Sequence, residues 1–182
     1  MIGRIAAAGL LAGLVAAPLA AMAAPDGVVA RLAGVYKSRF VNSMADGERY
    51  ASENVLEIAP YKPGAAYVRL HLEFTNGHVC NLWGVATAGG GRLTYAGPND
   101  LSGNPCTLRI ARTADGIHLW ETGTEACRLQ TCGARGGYRT SADDPPEFPL
   151  AARRPIRYLA RLRASPQYAE AIQAFDAAGR RP

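Results

Sequence analysis

The chain has 182 residues, 48% of them hydrophobic, and 20 Lys and Arg against 15 Asp and Glu, a formal net charge of +5. That length suits one domain behind a short leader, large enough to bury its own core. No stretch after the leader approaches the roughly 20 apolar residues that cross a bilayer. The positive charge is a property of the tail. Residues 24–150 hold 12 Lys and Arg and 13 Asp and Glu, whereas 151–182 hold 7 Arg against Glu170 and Asp176.

Residues 1–23 read as a cleaved signal peptide. Arg4 gives a positive start, an apolar run follows from Ile5 to Leu19, and Ala21-Met22-Ala23 is the small-x-small pattern of a signal peptidase site. Gly9, Gly13 and Pro18 break the run, against a membrane-spanning helix, and no Cys follows it to carry a lipid. The expected organisation is therefore a signal peptide at 1–23, a β domain at 24–150, and an Arg-rich helical tail at 151–182 packed on the same domain.

Within the β domain, short runs alternate with period two, the pattern of half-buried antiparallel strands. The clearest puts Ala66, Val68, Leu70, Leu72 and Phe74 on one face, with Tyr67, Arg69, His71 and Glu73 on the other. Similar runs lie at 33–41, 54–59, 79–87, 92–96, 106–112 and 117–122, and no sustained helical period precedes residue 150. Asn76-Gly77, Gly89-Gly90-Gly91 and Asp115-Gly116 read as tight turns, since these residues tolerate positive φ. Longer loops are expected at 42–53 and 97–105. Seven or eight strands joined this way predict a mainly β fold, a small antiparallel meander barrel or flattened sandwich. In the tail, 156–163 is expected to form a short helix with Arg157 and Arg161 on one face. A second helix should start at Ser165 and Pro166, carry an apolar stripe of Tyr168, Ile172 and Phe175, and end at Gly179. It should pack on the barrel or plug one mouth.

The four cysteines, Cys80, Cys106, Cys127 and Cys132, are an even set, and in an exported chain they read as two disulfides. Three pairings are possible; Cys106 with Cys127 is geometrically the easiest, because they flank adjacent strands, and it leaves Cys80 with Cys132. Tracing the hairpins puts all four at one end of the barrel, with His78, the 97–105 loop and Cys132-Gly133-Ala134-Arg135-Gly136-Gly137. The candidate binding residues are therefore His78, Asn99, Asp100 and Arg135 at that end, with Trp120 as a possible contact aromatic. Trp120 could instead lie under the C-terminal helix; Trp83 reads as core.

No catalytic residue is nominated. His71 and His118 read as outward strand residues, the carboxylates are scattered, and no nucleophile, zinc or phosphate-loop motif appears. No metal, cofactor or nucleic-acid partner is expected; a single Arg135-Gly136-Gly137 triplet carries no weight as an RNA signal. The glycines of that stretch read first as steric relief beside a disulfide. The tail arginines Arg153, Arg154, Arg157, Arg161 and Arg163 could contact an anionic membrane surface.

In Asn76-Gly77-His78-x-Cys80, Trp83-Gly84-x-Ala86 and Cys127-x4-Cys132-Gly133-Ala134-Arg135-Gly136, the chain resembles a family of uncharacterised secreted proteobacterial proteins over roughly residues 54–140. That resemblance implies no activity. The likeness to periplasmic lysozyme inhibitors is one of architecture only. The expected function is that of a non-enzymatic periplasmic or secreted binding protein. Its cysteine-rich end would engage a protein partner, such as a cell-wall hydrolase, or an anionic envelope component. The positive charge of the mature chain argues against a lysozyme inhibitor unless the tail is turned away. The alternatives are a lipocalin-like ligand barrel and a cell-envelope enzyme without a recognisable motif.

Overall fold

The computed structural model describes residues 25–179, and side chains from Gly27 onward; the expected signal peptide lies outside them. A helix, α1 (Pro25–Leu32), leads into seven consecutive strands: β1 (Gly34–Ser43), β2 (Arg49–Lys62), β3 (Ala65–Glu73), β4 (Val79–Gly89), β5 (Arg92–Asn99), β6 (Pro105–Arg112) and β7 (Gly116–Glu121). Then come α2 (Ala126–Thr131), the two-residue strand β8 (Phe148–Pro149), α3 (Leu159–Arg163) and α4 (Pro166–Ala178). The eight strands form one antiparallel meander, each paired with its neighbour in sequence. Val35 and Arg154 exchange backbone hydrogen bonds of 2.8 Å in both directions and bring β1 beside the chain that follows β8. The sheet is thereby nearly closed into a barrel.

Period-two alternation builds the interior. Tyr36, Leu56, Ile58, Leu70, Leu82, Leu93, Leu108, Ile110, Ile117 and Phe148 are fully buried. Each such side chain contributes roughly 1.5–3 kcal/mol by leaving water. The hairpin between β3 and β4 turns on Asn76 and Gly77, whose φ values are 64° and 69°, the left-handed region that Asn and Gly enter most cheaply. The expected 42–53 loop is shorter: Met44 N–H bonds Glu48 O at 2.8 Å, and β2 starts at Arg49.

Both mouths are filled by helices that period reading did not find. In α1, Val28, Val29 and Leu32 join the core at the lower mouth, and the Tyr36 hydroxyl donates to Leu32 O at 2.9 Å. In α2, Ala126 and Cys127 reach the core at the upper mouth. Helices of 8 and 6 residues are too short for a sustained apolar stripe to stand out in the sequence.

The tail packs outside the barrel and not in a mouth. Ala59, Ala65, Tyr67 and Val85, on the outer face of β2–β4, are buried against Leu162 and Ala171 with Tyr168, Ile172 and Phe175 beside them. The Ser165 hydroxyl accepts from Tyr168 N–H at 3.3 Å, capping α4. The short tail helix covers only Leu159–Arg163, starting later than expected. Trp83, expected in the core, is 38% exposed. Its register partner is Arg69, not an inward residue, so Val79, Trp83 and Val85 share the outer face, and of the three only Val85 is buried.

Candidate functional site

The upper end collects the β1–β2 loop, the β3–β4 hairpin, the β5–β6 loop, α2 and the chain through residues 132–137. Two disulfides fasten it: Cys106–Cys127 and Cys80–Cys132, 21 and 52 residues apart in sequence. The geometrically easiest pairing is the one present. Hydrogen bonds join the loops further. Ala45 N–H donates to Asn76 Oδ1 at 2.9 Å, and Gln130 Nε2 donates to Pro98 O at 3.0 Å. The N-terminus of α2 is capped by a side chain from β7. The Glu121 carboxylate accepts N–H bonds from Cys127 at 2.5 Å and Arg128 at 3.2 Å. A negative group there meets free N–H donors and the positive helix end, while burial pushes the Glu121 carboxyl above its ordinary range.

The expected site residues have different fates. His78 is half-buried beside Gly133, where a Cβ would come within 3.2 Å of His78 Nδ1. Asn99 is exposed at the end of β5, opposite Pro105. Asp100 holds its own loop: its carboxylate accepts N–H bonds from Ser102 at 2.9 Å and Asn104 at 2.8 Å. The hydrogen bonds from Asn104, first among several, hold its carboxyl below the ordinary value. Arg135 is exposed and has no hydrogen bond or ion pair among the described residues. Gly136 bears out the steric reading, since a Cβ there would lie 2.9 Å from Cys80 Sγ.

Trp120 does not belong to this surface. It is only 8% exposed, with Arg109 opposite it on β6 and Arg139 on its other side. Glu121 N–H bonds Arg139 O at 2.8 Å, so the returning chain runs alongside and shields the indole. That cover is not the C-terminal helix, which lies across β3 and β4. His118 likewise points outward yet is 7% exposed, with Nε2 3.2 Å from Asp115 Oδ1.

Sequence reading missed the exposed aliphatic side chains of the upper end. Val41, Met44, Leu101 and Leu129 are 58%, 41%, 109% and 61% exposed. Leu101 gave a signal: it is an apolar residue inside a Gly-, Asn- and Pro-rich loop with nothing nearby in sequence to bury it.

A second concavity, about 540 Å³, lies on the outer barrel face. Two cross-strand rows form its floor. Lys37, Val55, His71 and Asn81 are successive register partners over β1–β4, as are Glu57, Arg69 and Trp83 over β2–β4. Tyr158, Arg161 and Gln167 of the tail form one wall. Glu57 is 1% exposed and bound by Arg69 Nε on one oxygen and the Tyr158 hydroxyl on the other. Burial, then the bond to Glu57, pushes the Tyr158 phenol up to about 12. A smaller hollow of about 440 Å³ lies at the lower end between Gly34 and the tail.

The tail arginines are mostly engaged within the molecule. Arg153 donates to Ala30 O at 3.2 Å and to Ala33 O at 2.7 and 3.0 Å, capping the C-terminus of α1. Arg154 donates to Ala151 O and Arg153 O, Arg163 bonds Pro60 O at 3.5 Å, and Arg161 stacks on Tyr158 with 5.4 Å to the ring centroid. Arg157 is exposed without a partner among the described residues.

Comparison of the chain with protein-family models, curated proteins and solved structures finds no significant match. Among the described residues, no helix is long and apolar enough to cross a membrane, and no group of three or more His, Cys, Asp or Glu is placed to hold a metal ion. The two disulfides fit an oxidising, extracytoplasmic compartment.

Proposed function

We propose that this chain is a non-enzymatic binding protein of the periplasm or the secreted medium, and that it engages a protein partner through its upper end. The observation that carries the reading is the exposure of Val41, Met44, Leu101 and Leu129 on the end fastened by two disulfides. Exposed aliphatic side chains mark contact surfaces when they gather on one part of a molecule. Holding them on a cross-linked frame lowers the ordering cost of binding. Arg135, without a partner among the described residues, adds a charged donor at the rim. Two of the tail's arginines, Arg153 and Arg163, are tied to the lower half of the barrel, away from this surface.

A cell-wall hydrolase is the first partner to test. The oxidised mature chain is mixed with several lysozymes at equimolar ratio and hydrolysis of cell walls is followed. The expected result is inhibition of at least one, lost in a Leu101→Asp, Leu129→Asp double variant that keeps its unfolding midpoint. Full activity of every lysozyme removes the hydrolase version; inhibition unaltered by the double variant removes the upper end as the contact surface. The lipocalin-like alternative has no observation in its favour, since Tyr36, Tyr95, Phe148 and the leucines fill the barrel core between the two plugging helices.

A further inference from the structure

We propose that the outer groove between the β1–β4 face and the tail is a second binding site, and that its ligand is a saccharide bearing a carboxylate. The site lies apart from the upper end and does not depend on the reading above.

The groove combines an aromatic face with free hydrogen-bond donors. Trp83 is 38% exposed at the groove floor. Its indole is oriented by the tail, since Nε1 donates to Glu170 at 3.2 Å. The polar tip is thereby satisfied and the ring remains as a fixed apolar platform, the kind of surface on which the C–H face of a sugar ring packs. Around it, the donors outnumber the acceptors. Arg69 uses only Nε, on Glu57, leaving its terminal nitrogens without a partner among the described residues. The Arg161 side chain stacks on the Tyr158 ring and, like that of Gln167, makes no hydrogen bond among those residues.

The one carboxylate in the lining does not compete for a ligand. Glu57 is 1% exposed, and both of its oxygens are occupied, by Arg69 and by Tyr158. It acts as a brace that fixes the Arg69 fork and ties the tail wall to the sheet. Guanidinium forks bind carboxylates with two parallel hydrogen bonds, a geometry a lysine cannot offer. His71 and Asn81 are already joined at 2.7 Å and set the edge of the floor. A volume of about 540 Å³ lies within the usual range of small-ligand sites. An aromatic platform alone would suit a neutral sugar, and guanidinium groups alone a small anion. Their juxtaposition calls for both features in one ligand.

The test is calorimetric titration of the oxidised mature protein with three probes: the disaccharide of N-acetylglucosamine and N-acetylmuramic acid, neutral chitobiose, and lactate. The acidic disaccharide should bind at least about tenfold more tightly than either of the others, as loss of a charge-assisted hydrogen bond or of the stacked ring implies. Trp83→Ala and Arg161→Ala should each weaken it by about tenfold while leaving any upper-end inhibition unchanged. No binding of the acidic disaccharide at millimolar concentration overturns the proposal. So does equal affinity for chitobiose or for lactate, or undiminished binding by either variant.

Discussion

The two ends of the barrel are each closed by a short helix, but by different means. At the lower end, α1 inserts Val28, Val29 and Leu32 into the core, so apolar burial holds the plug. At the upper end, α2 contributes only Ala126 and Cys127, too little area to hold a six-residue helix that has almost no stability of its own. Covalent links stand in for the missing area. Cys127 is tied to β6, and Cys132, just past the helix, is tied to β4. The upper end can therefore leave aliphatic side chains on its surface, because its order does not depend on burying them.

The largest expected effect follows from removing those links. Cross-linking entropy scales with the chain enclosed, so replacing Cys80 and Cys132 by Ala should cost about 4 kcal/mol and replacing Cys106 and Cys127 about 3 kcal/mol. Urea unfolding measures both. Hydrogen exchange then separates the ends: amides of α2 should lose protection by more than amides of α1. Equal loss at both ends would break the contrast between them. Next in size is Leu32→Ala, which removes a side chain 1% exposed and should cost about 2.5 kcal/mol. There the exchange pattern should reverse, with α1 opening while both disulfides and the α2 amides are retained.

Those variants also mark where the sequence was legible. The strands, their order and the disulfide-bearing end could be read because alternation and turn residues act locally: the hairpin at Asn76-Gly77 follows from two residues. The C-terminal helix was equally plain, from Ser165, Pro166 and the Tyr168, Ile172, Phe175 stripe. Much of what failed was set by a distant segment. Tyr67 alternates outward and is buried only because Tyr168 packs on it, 4.9 Å between ring centroids. Trp120 is hidden by a chain 19 residues further on, through Arg139. The outer groove exists because Tyr158 reaches back 101 residues to Glu57. Neither its floor nor its wall has a motif, and only the register of β1–β4 gathers Glu57, Arg69 and Trp83 into one row.

The smallest expected effect distinguishes the ends by charge. Each plugging helix is capped by a charged side chain of the sign its dipole favours, Glu121 at the N-terminus of α2 and Arg153 at the C-terminus of α1. Only the upper cap titrates in the acid range. Burial raises the Glu121 carboxyl above 4.5 in the folded protein, so between 4.5 and the raised value the fold binds more protons than the unfolded chain. Its contribution is full below the unfolded value and is lost as pH rises through the folded one, with a slope of at most about 1.4 kcal/mol per pH unit. Glu53, held down by its bonds to Lys37 and Arg39, and Glu73, held down first by Ser52, act with the opposite sign as pH falls. They are common to wild type and variant and cancel in the difference. Comparing wild type with Glu121→Gln by urea unfolding from pH 4 to pH 7 should therefore show wild type gaining relative stability toward acid. Arg153→Ala should lower stability by about 1 kcal/mol uniformly over the same range, because a guanidinium stays charged throughout it. A flat difference for Glu121→Gln would mean that the N–H bonds from Cys127 and Arg128 offset the desolvation of the carboxylate in full.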